Sequence, residues 1–268
     1  MLDALWWLFP ACLVTGSVVG VLAGLLGIGG GLLVVPVLSY LFPLAGALPE
    51  HVMPMALATS LASIVLTASS SARNHYRMGN TDIRVIRTLL PGILLGGLMG
   101  SALADHLPAE VLPRVFGGIV MLLALQMFVS MRVKATTAPF PSRVGNLAGG
   151  TVIGIVSSLA GIGGGSLIVP YLSHFGVEMR KAIGSASMCG VFLAISGMTG
   201  FVIFGLHHEQ PLPAYSLGYV YLPALLGIAG TSVLTTGYGV KLTTRLPVHI
   251  IKQVFSVFLL LVALSMLF

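Results

Sequence analysis

Charge is what this 268-residue chain has least of: only 7% of its residues are Asp, Glu, Lys or Arg, against 56% hydrophobic, and its mean hydropathy is +1.03. A soluble domain carries about 25% charged residues to keep its surface hydrated, so a water-soluble enzyme is excluded. Disorder is excluded as well, because so much apolar surface cannot stay in water. Acidic groups number seven and none falls near the middle of an apolar run, which argues against a carboxylate proton relay or a cation site in the membrane. The two cysteines, Cys12 and Cys189, sit inside apolar runs without a CxxC or similar spacing and read as buried small hydrophobes. HExxH and other paired ligand motifs are absent, so neither a metal nor a cofactor is expected. The net charge of +6 forms no patch or stripe, and no nucleic-acid partner follows from it. The start, MLDALWWLFPACLVTG, lacks the basic region of a signal peptide and reads as a retained first span anchored by Trp6 and Trp7.

Long apolar runs are what remains, and the bilayer is the solvent they suit. A spanning helix needs roughly 20 apolar residues, which leaves room for about eight to ten spans with short loops. Turn signals and charges divide the chain into ten segments: 4–26, 31–45, 52–72, 88–104, 111–131, 144–160, 165–177, 182–205, 216–236 and 248–268. The second of each group of five is too short to cross, and Pro36 and Pro170 interrupt them, so a broken or re-entrant half-helix is expected at each.

The strongest internal signal is a repeat. Residues 27–39 (GIGGGLLVVPVLS) match 161–173 (GIGGGSLIVPYLS) at ten of thirteen positions. A second match joins Gly100, Leu103, Leu107 and Pro108 to Gly239, Leu242, Leu246 and Pro247. Two membrane repeats follow, 1–134 and 144–268, joined by a linker at 135–143 that is expected to be cytoplasmic.

Lys and Arg favour the cytoplasmic ends of spans. Strict alternation of the ten segments puts twelve of the thirteen basic residues on one side and leaves Arg114 alone on the other, with both termini outside. The basic loop 73–87 then corresponds to the base-free loop 206–215, so equivalent loops lie on opposite faces. Five segments per half is odd, and the second copy must enter upside down. The expected fold is thus an all-α membrane protein of two inverted repeats with half-helices after the GIGGG turns, an architecture shared by transporters that rock one element against another around a midplane site.

The glycine blocks come first among candidate functional residues: Gly29, Gly30 and Gly31 in one half, Gly163, Gly164 and Gly165 in the other. Glycine lets the backbone turn with positive φ, and the helix that follows presents free N–H groups with partial positive charge, a cradle for an anion. Thr59 and Ser60 of segment three, Ser185 and Ser187 of segment eight, and Ser166 at the second half-helix could donate to substrate oxygens. Arg87, in the amphipathic stretch DIRVIRTLL, can turn inward at the cytoplasmic mouth. The ladder Gly92, Gly96 and Gly100 falls on one helix face and reads as close packing or as sliding contacts during transport.

The paired GIGGG-x-LxVP blocks, the HYRMGNTD loop with Arg77, Gly79 and Asp82, and the LP…VF pattern resemble the TauE/SafE sulfite exporter family over nearly the whole chain. That resemblance implies a secondary permease of the bacterial inner membrane exporting sulfite or a small organosulfonate such as sulfoacetate, not an enzyme, with a homodimer as an admissible assembly. The second half lacks the arginine-rich loop and carries no substrate-selecting motif that can be mapped. A membrane-embedded enzyme or a non-transporting partner subunit are the alternatives from other classes.

Overall fold

The computed structural model describes residues 5–26, 30–130, 140–208, 210, 212–243 and 248–267. Among these, ten helices follow one another in chain order: α1 (Leu5–Leu26), α2 (Gly31–Leu44), α3 (Pro49–Arg77), α4 (Ile83–His106), α5 (Val111–Ser130), α6 (Arg143–Leu159), α7 (Gly165–His174), α8 (Met179–Leu206), α9 (Leu222–Thr243) and α10 (Val248–Leu267). Five of them, α1, α3, α4, α5 and α8, are long and apolar enough to cross a membrane. The 14 and 10 residues of α2 and α7 rise only about 21 and 15 Å at roughly 1.5 Å per residue, about two-thirds and half of the hydrocarbon thickness. The strands among the described residues form a hairpin of β1 (Ser216–Leu217) and β2 (Val220–Tyr221). It takes the first six residues of segment nine, because Tyr215 and Gly218 adopt positive φ of 65° and 54° and turn the chain back before a helix can start.

Local chemistry explains the helix starts. Pro49 opens α3, where its missing N–H costs nothing. The Asp82 carboxylate accepts from the N–H groups of Arg84 and Val85, and the Ser142 hydroxyl accepts from Gly145 N–H, capping α4 and α6. Asp82 is also the end of the R-x-G-N-x-D loop, and its own N–H donates to Ser185 Oγ at 2.9 Å. A Cβ on Gly184 would collide with the Asn80 carbonyl, so this loop docks on the bare backbone at the start of α8.

The most extensive helix pairs are α1 with α9 and α4 with α6, and both are glued by small residues. Gly16 faces Ile228 and Thr231, and Gly20 faces Ser232 and Thr235, so α1 and α9 run parallel. Thr231 and Thr235 donate across the seam to the carbonyls of Leu13 and Ser17 at 2.9 and 3.0 Å. Gly92, Gly96 and Gly100 meet Leu147, Thr151 and Ile155 in turn, so α4 and α6 are parallel too. Between these pairs α3 crosses α8 the other way, with Leu61 near Gly197 and His75 near Gly184. Exchanging each helix for the one five places along the chain turns α1–α9 into α6–α4, α2–α3 into α7–α8 and α3–α9 into α8–α4, while α3–α8 and α5–α10 map onto themselves.

The glycine ladder sets a stability prediction. A methyl at Gly96 would strike the Thr151 carbonyl, whereas one at Gly118 meets nothing within 4 Å. Gly96→Ala is expected to cost about 1–3 kcal/mol and Gly118→Ala nothing, read as thermal unfolding of the detergent-solubilised protein; equal melting of the two variants would refute the seam.

Candidate functional site

Each half-helix begins at a left-handed glycine. Gly30 (φ 76°) caps α2 and Gly164 (φ 70°) caps α7, and neither start has a side-chain cap. A left-handed turn of this kind suits glycine, which has no Cβ to clash. The first bonds of the helices run from Leu33 and Val34 to Gly30 O, and from Leu167 and Ile168 to Gly164 O. The N–H groups of Gly31, Leu32, Gly165 and Ser166 therefore have no acceptor among the described residues. Such donors carry the positive end of the helix dipole and, inside a membrane, call for protein, water or ligand to satisfy them.

The two elbows are in contact. A Cβ on Gly31 would hit the Gly161 carbonyl, and Ile64 of α3 lies against both Gly31 and Gly163. Ser60, fully buried in α3, donates to Gly161 O at 2.8 Å and approaches Gly31 O at 3.5 Å, so one hydroxyl ties the first half's long helix to the second half's elbow. From the opposite side the bare backbone of α8 at Gly190 receives the Gly163 carbonyl.

Two hydroxyls at the second elbow are left over. Ser157, in the last turn of α6, has 0% exposure and, among the described residues, no partner for its Oγ, and it lies 3.6 Å from where a Cβ on Gly164 would stand. The Ser166 Oγ, in the first turn of α7, is likewise buried without a partner among the described residues. A dry hydroxyl of this kind forfeits about 1–3 kcal/mol relative to a bonded one. The buried polar side chains among the described residues are Ser, Thr, one Asn and one His, with no carboxylate to repel an anion.

The structure brings together Gly30, Gly31, Gly163, Gly164, Gly165, Ser166 and Ser60 at this centre; Gly29 lies outside the described residues. Other candidates stand elsewhere. Thr59, one residue before Ser60, accepts from Tyr221 N–H at 3.1 Å and so anchors the hairpin. Ser185 holds the α3–α4 loop, and Ser187 donates to its own helix at Ile183 O while receiving the Ser71 hydroxyl. Arg87 is exposed and lines, with Thr88, Pro91, Arg143, Val144 and Leu147, a cavity of about 380 Å³ between the first turns of α4 and α6. Ser157 was not foreseen; its signal is a serine one turn before the glycine block, where the first half has Ala23.

The hairpin covers the end of the molecule where α3 and α9 start and α4 and α8 finish. Tyr219 and Tyr221 are among the largest fully buried side chains, and Phe42 meets Tyr221 edge-on at 5.8 Å. Burial first, then its bond to Asp105, raises the Tyr219 phenol far above its ordinary range, so it remains a donor to the Asp105 carboxylate at 2.8 Å.

The family described as sulfite exporter TauE/SafE matches residues 12–266 of the chain. A "Probable membrane transporter protein" of Haemophilus influenzae is 42% identical over 95% of this chain and 96% of its own length. Two further relatives are each 26% identical. One is the "Probable membrane transporter protein MJ0441" of Methanocaldococcus jannaschii, matched over 91% of this chain and 90% of its own length, and the other is YdhB of Bacillus subtilis, matched over 87% and 90%. No solved structure matches the chain.

The elbow geometry separates neighbouring glycines. A Cβ at Gly164 is disfavoured by its φ and would press on Ile168 and Leu193 at 3.0 and 3.1 Å, while Gly165 has open space. Gly164→Ala is expected to lose about 1–2 kcal/mol and Gly165→Ala far less, measured as thermal stability; the reverse order would contradict the left-handed cap.

Proposed function

We propose a transport function for this chain, which belongs to the sulfite exporter TauE/SafE family: it moves a small sulfur oxyanion, sulfite or an organosulfonate such as sulfoacetate, out of the cell. Membership of that family and its relatives make it a multi-pass membrane transporter. The reading that the cargo is an anion rests on one observation, the free N–H groups and dry Ser157 and Ser166 hydroxyls converging on the second elbow. The amides can only donate and each hydroxyl has an O–H to spare, in a site without buried carboxylates among the described residues. A metal, an acid–base pair or a nucleotide loop would need different residues.

The path follows from the helices. In this proposal the halves are inverted copies, which the antiparallel crossing of the equivalent helices α3 and α8 and the exchange symmetry of the helix pairs support. Gly30, Gly31 and Gly163 to Gly165, with Ser166 and Ser60, bind the anion at the centre. Arg87 and Arg143 would draw it in at the cytoplasmic rim, Thr59 and Ser185 hold the loops that must move, and Ser187 meets Ser71 where α8 crosses α3. Access alternates as α3, together with α2 and the α1–α9 pair, shifts against α8, together with α7 and the α4–α6 pair. With both termini outside an inner membrane, a monoanion leaving a cell that is negative inside gains about 2.3 kcal/mol per 100 mV, so its exit needs no other driving force.

Purified protein in liposomes under an imposed potential tests the proposal. Flux of sulfite or sulfoacetate that follows the potential is expected; flux of neutral or cationic solutes without any of these anions would overturn it. The site makes a sharper demand. A hydrogen bond to a charged group contributes about 1.5–3 kcal/mol, so Ser157→Ala and Ser166→Ala should each weaken sulfite binding roughly tenfold or more. Ser157→Ala should leave the ligand-free protein as stable as before, since the lost hydroxyl has no partner to abandon. Unchanged affinity in both variants removes the second elbow as the site.

A further inference from the structure

One buried titratable group plays no part in the anion site. His51, in the first turn of α3, is 1% exposed, yet neither ring nitrogen has a partner among the described residues. His208, just after α8, meets it edge-on with ring centroids 4.9 Å apart and planes at 86°. Tyr219 of the hairpin completes a triangle, 6.3 Å from His51 and 5.9 Å from His208, and its hydroxyl donates to Asp105 at the end of α4. Glu50 precedes His51 on its own helix. Among the described residues the groups facing His51 are therefore an imidazole, a phenol backed by a carboxylate, and one adjacent carboxylate, contributed by four elements meeting at one end of the molecule.

This arrangement suits one ligand. Histidine is the side chain whose charge changes near neutral pH. A proton on either ring would find the π faces of its neighbours and the carboxylates of Asp105 and Glu50 within the same cluster. It would also put a charge into a dry contact between two imidazoles, which then must separate and admit water. The hairpin is the element that can yield, because Tyr219 packs on both rings. Its motion reaches the centre by covalent neighbours: Tyr221 N–H is held by Thr59, and Thr59 precedes Ser60, the residue that clamps the elbows.

We propose that His51 and His208 form a proton-binding site, and that proton binding there lifts the hairpin and exchanges an entering proton for each anion that leaves. The coupling clause rests on the anion-transport reading; the proton site does not.

Hydrogen–deuterium exchange tests the site without any transport. After correction for intrinsic rates, amides 216–221 of the full-length protein in nanodiscs should exchange at least tenfold faster at pH 5.5 than at pH 7.5, and His51→Gln and His208→Gln should each abolish the difference. Exchange that is independent of pH in the wild type, or a pH response kept by both variants, overturns the proposal. Coupling is read in potential-clamped liposomes with methanesulfonate, which takes up no proton in this range, and an internal pH dye. Wild-type flux should carry protons and the glutamine variants should carry at least tenfold fewer per anion. Anion flux without proton movement in the wild type refutes the coupling and leaves anion transport standing, whereas absent flux of every sulfur anion tested refutes the transport reading and leaves the exchange result to decide the proton site.

Discussion

A single hydroxyl holds the centre of this molecule together. Ser60 donates to the Gly161 carbonyl, and the bare backbone of Gly31 rests against the same carbonyl, so two helix starts are pressed to each other. Without glycine at these positions the left-handed caps at Gly30 and Gly164 would be strained and the approach blocked. Without Ser60 the Gly161 carbonyl would lose its side-chain donor in a dry interior. The free amides of both half-helices are exposed to whatever occupies this junction, and a membrane offers no water to satisfy them. The chemistry proposed for the site is a consequence of that constraint: donors that cannot be satisfied by the fold select a ligand rich in acceptors.

The packing around the junction divides stiff parts from mobile ones. In α1–α9 and α4–α6 the backbones touch through glycine, and threonine or serine hydroxyls bond to carbonyls across or along the seams. Close backbone approach leaves no side chain to re-rotamer, so each pair moves as a unit. The α3–α8 crossing is held differently, by Leu61 against Gly197 and the Ser71–Ser187 hydroxyl pair, together with loops docked through Ser185 and Thr59. Side chains can slide where locked backbones cannot. Alternating access, if it runs through this fold as proposed, has its shear plane at α3–α8 and its latches in the two docked loops.

Much of this was legible in the sequence because it depends on local pattern. Apolar runs bounded by proline, glycine and charge gave all ten helices, and the half-length segments stood out by arithmetic alone. The elbows were legible because a glycine block recurring before a short, proline-broken segment has few other uses. What was hidden depends on partners distant in the chain. Thr59 and Ser60 are neighbours, but successive residues on a helix point about 100° apart, and the two serve the hairpin and the elbow respectively. The hairpin was absorbed into a helical segment since its strands are two residues each and its turn rests on a positive φ at Tyr215. Ser157 and His51 are conspicuous only by what they fail to touch, and a missing partner leaves no mark on a sequence.

The repeat is strong in its glycines and broken in its hydroxyls, and that break bears on mechanism. Where the second half has Ser157 and Ser166, the first has Ala23 and Leu32. Two identical elbows would present an anion with two equal seats and no reason to prefer either. Here the first elbow offers backbone dipole alone, with Leu32 buried beside it, while the second adds two side-chain donors. In the proposed cycle the anion sits at the second elbow, and the Gly31 and Leu32 N–H groups of the first complete the seat with backbone dipole alone. Such an unsymmetrical seat would also give the cycle a direction of engagement: the ligand would stay with α7 and its neighbours α6 and α8, and release when α2 and α3 shift away.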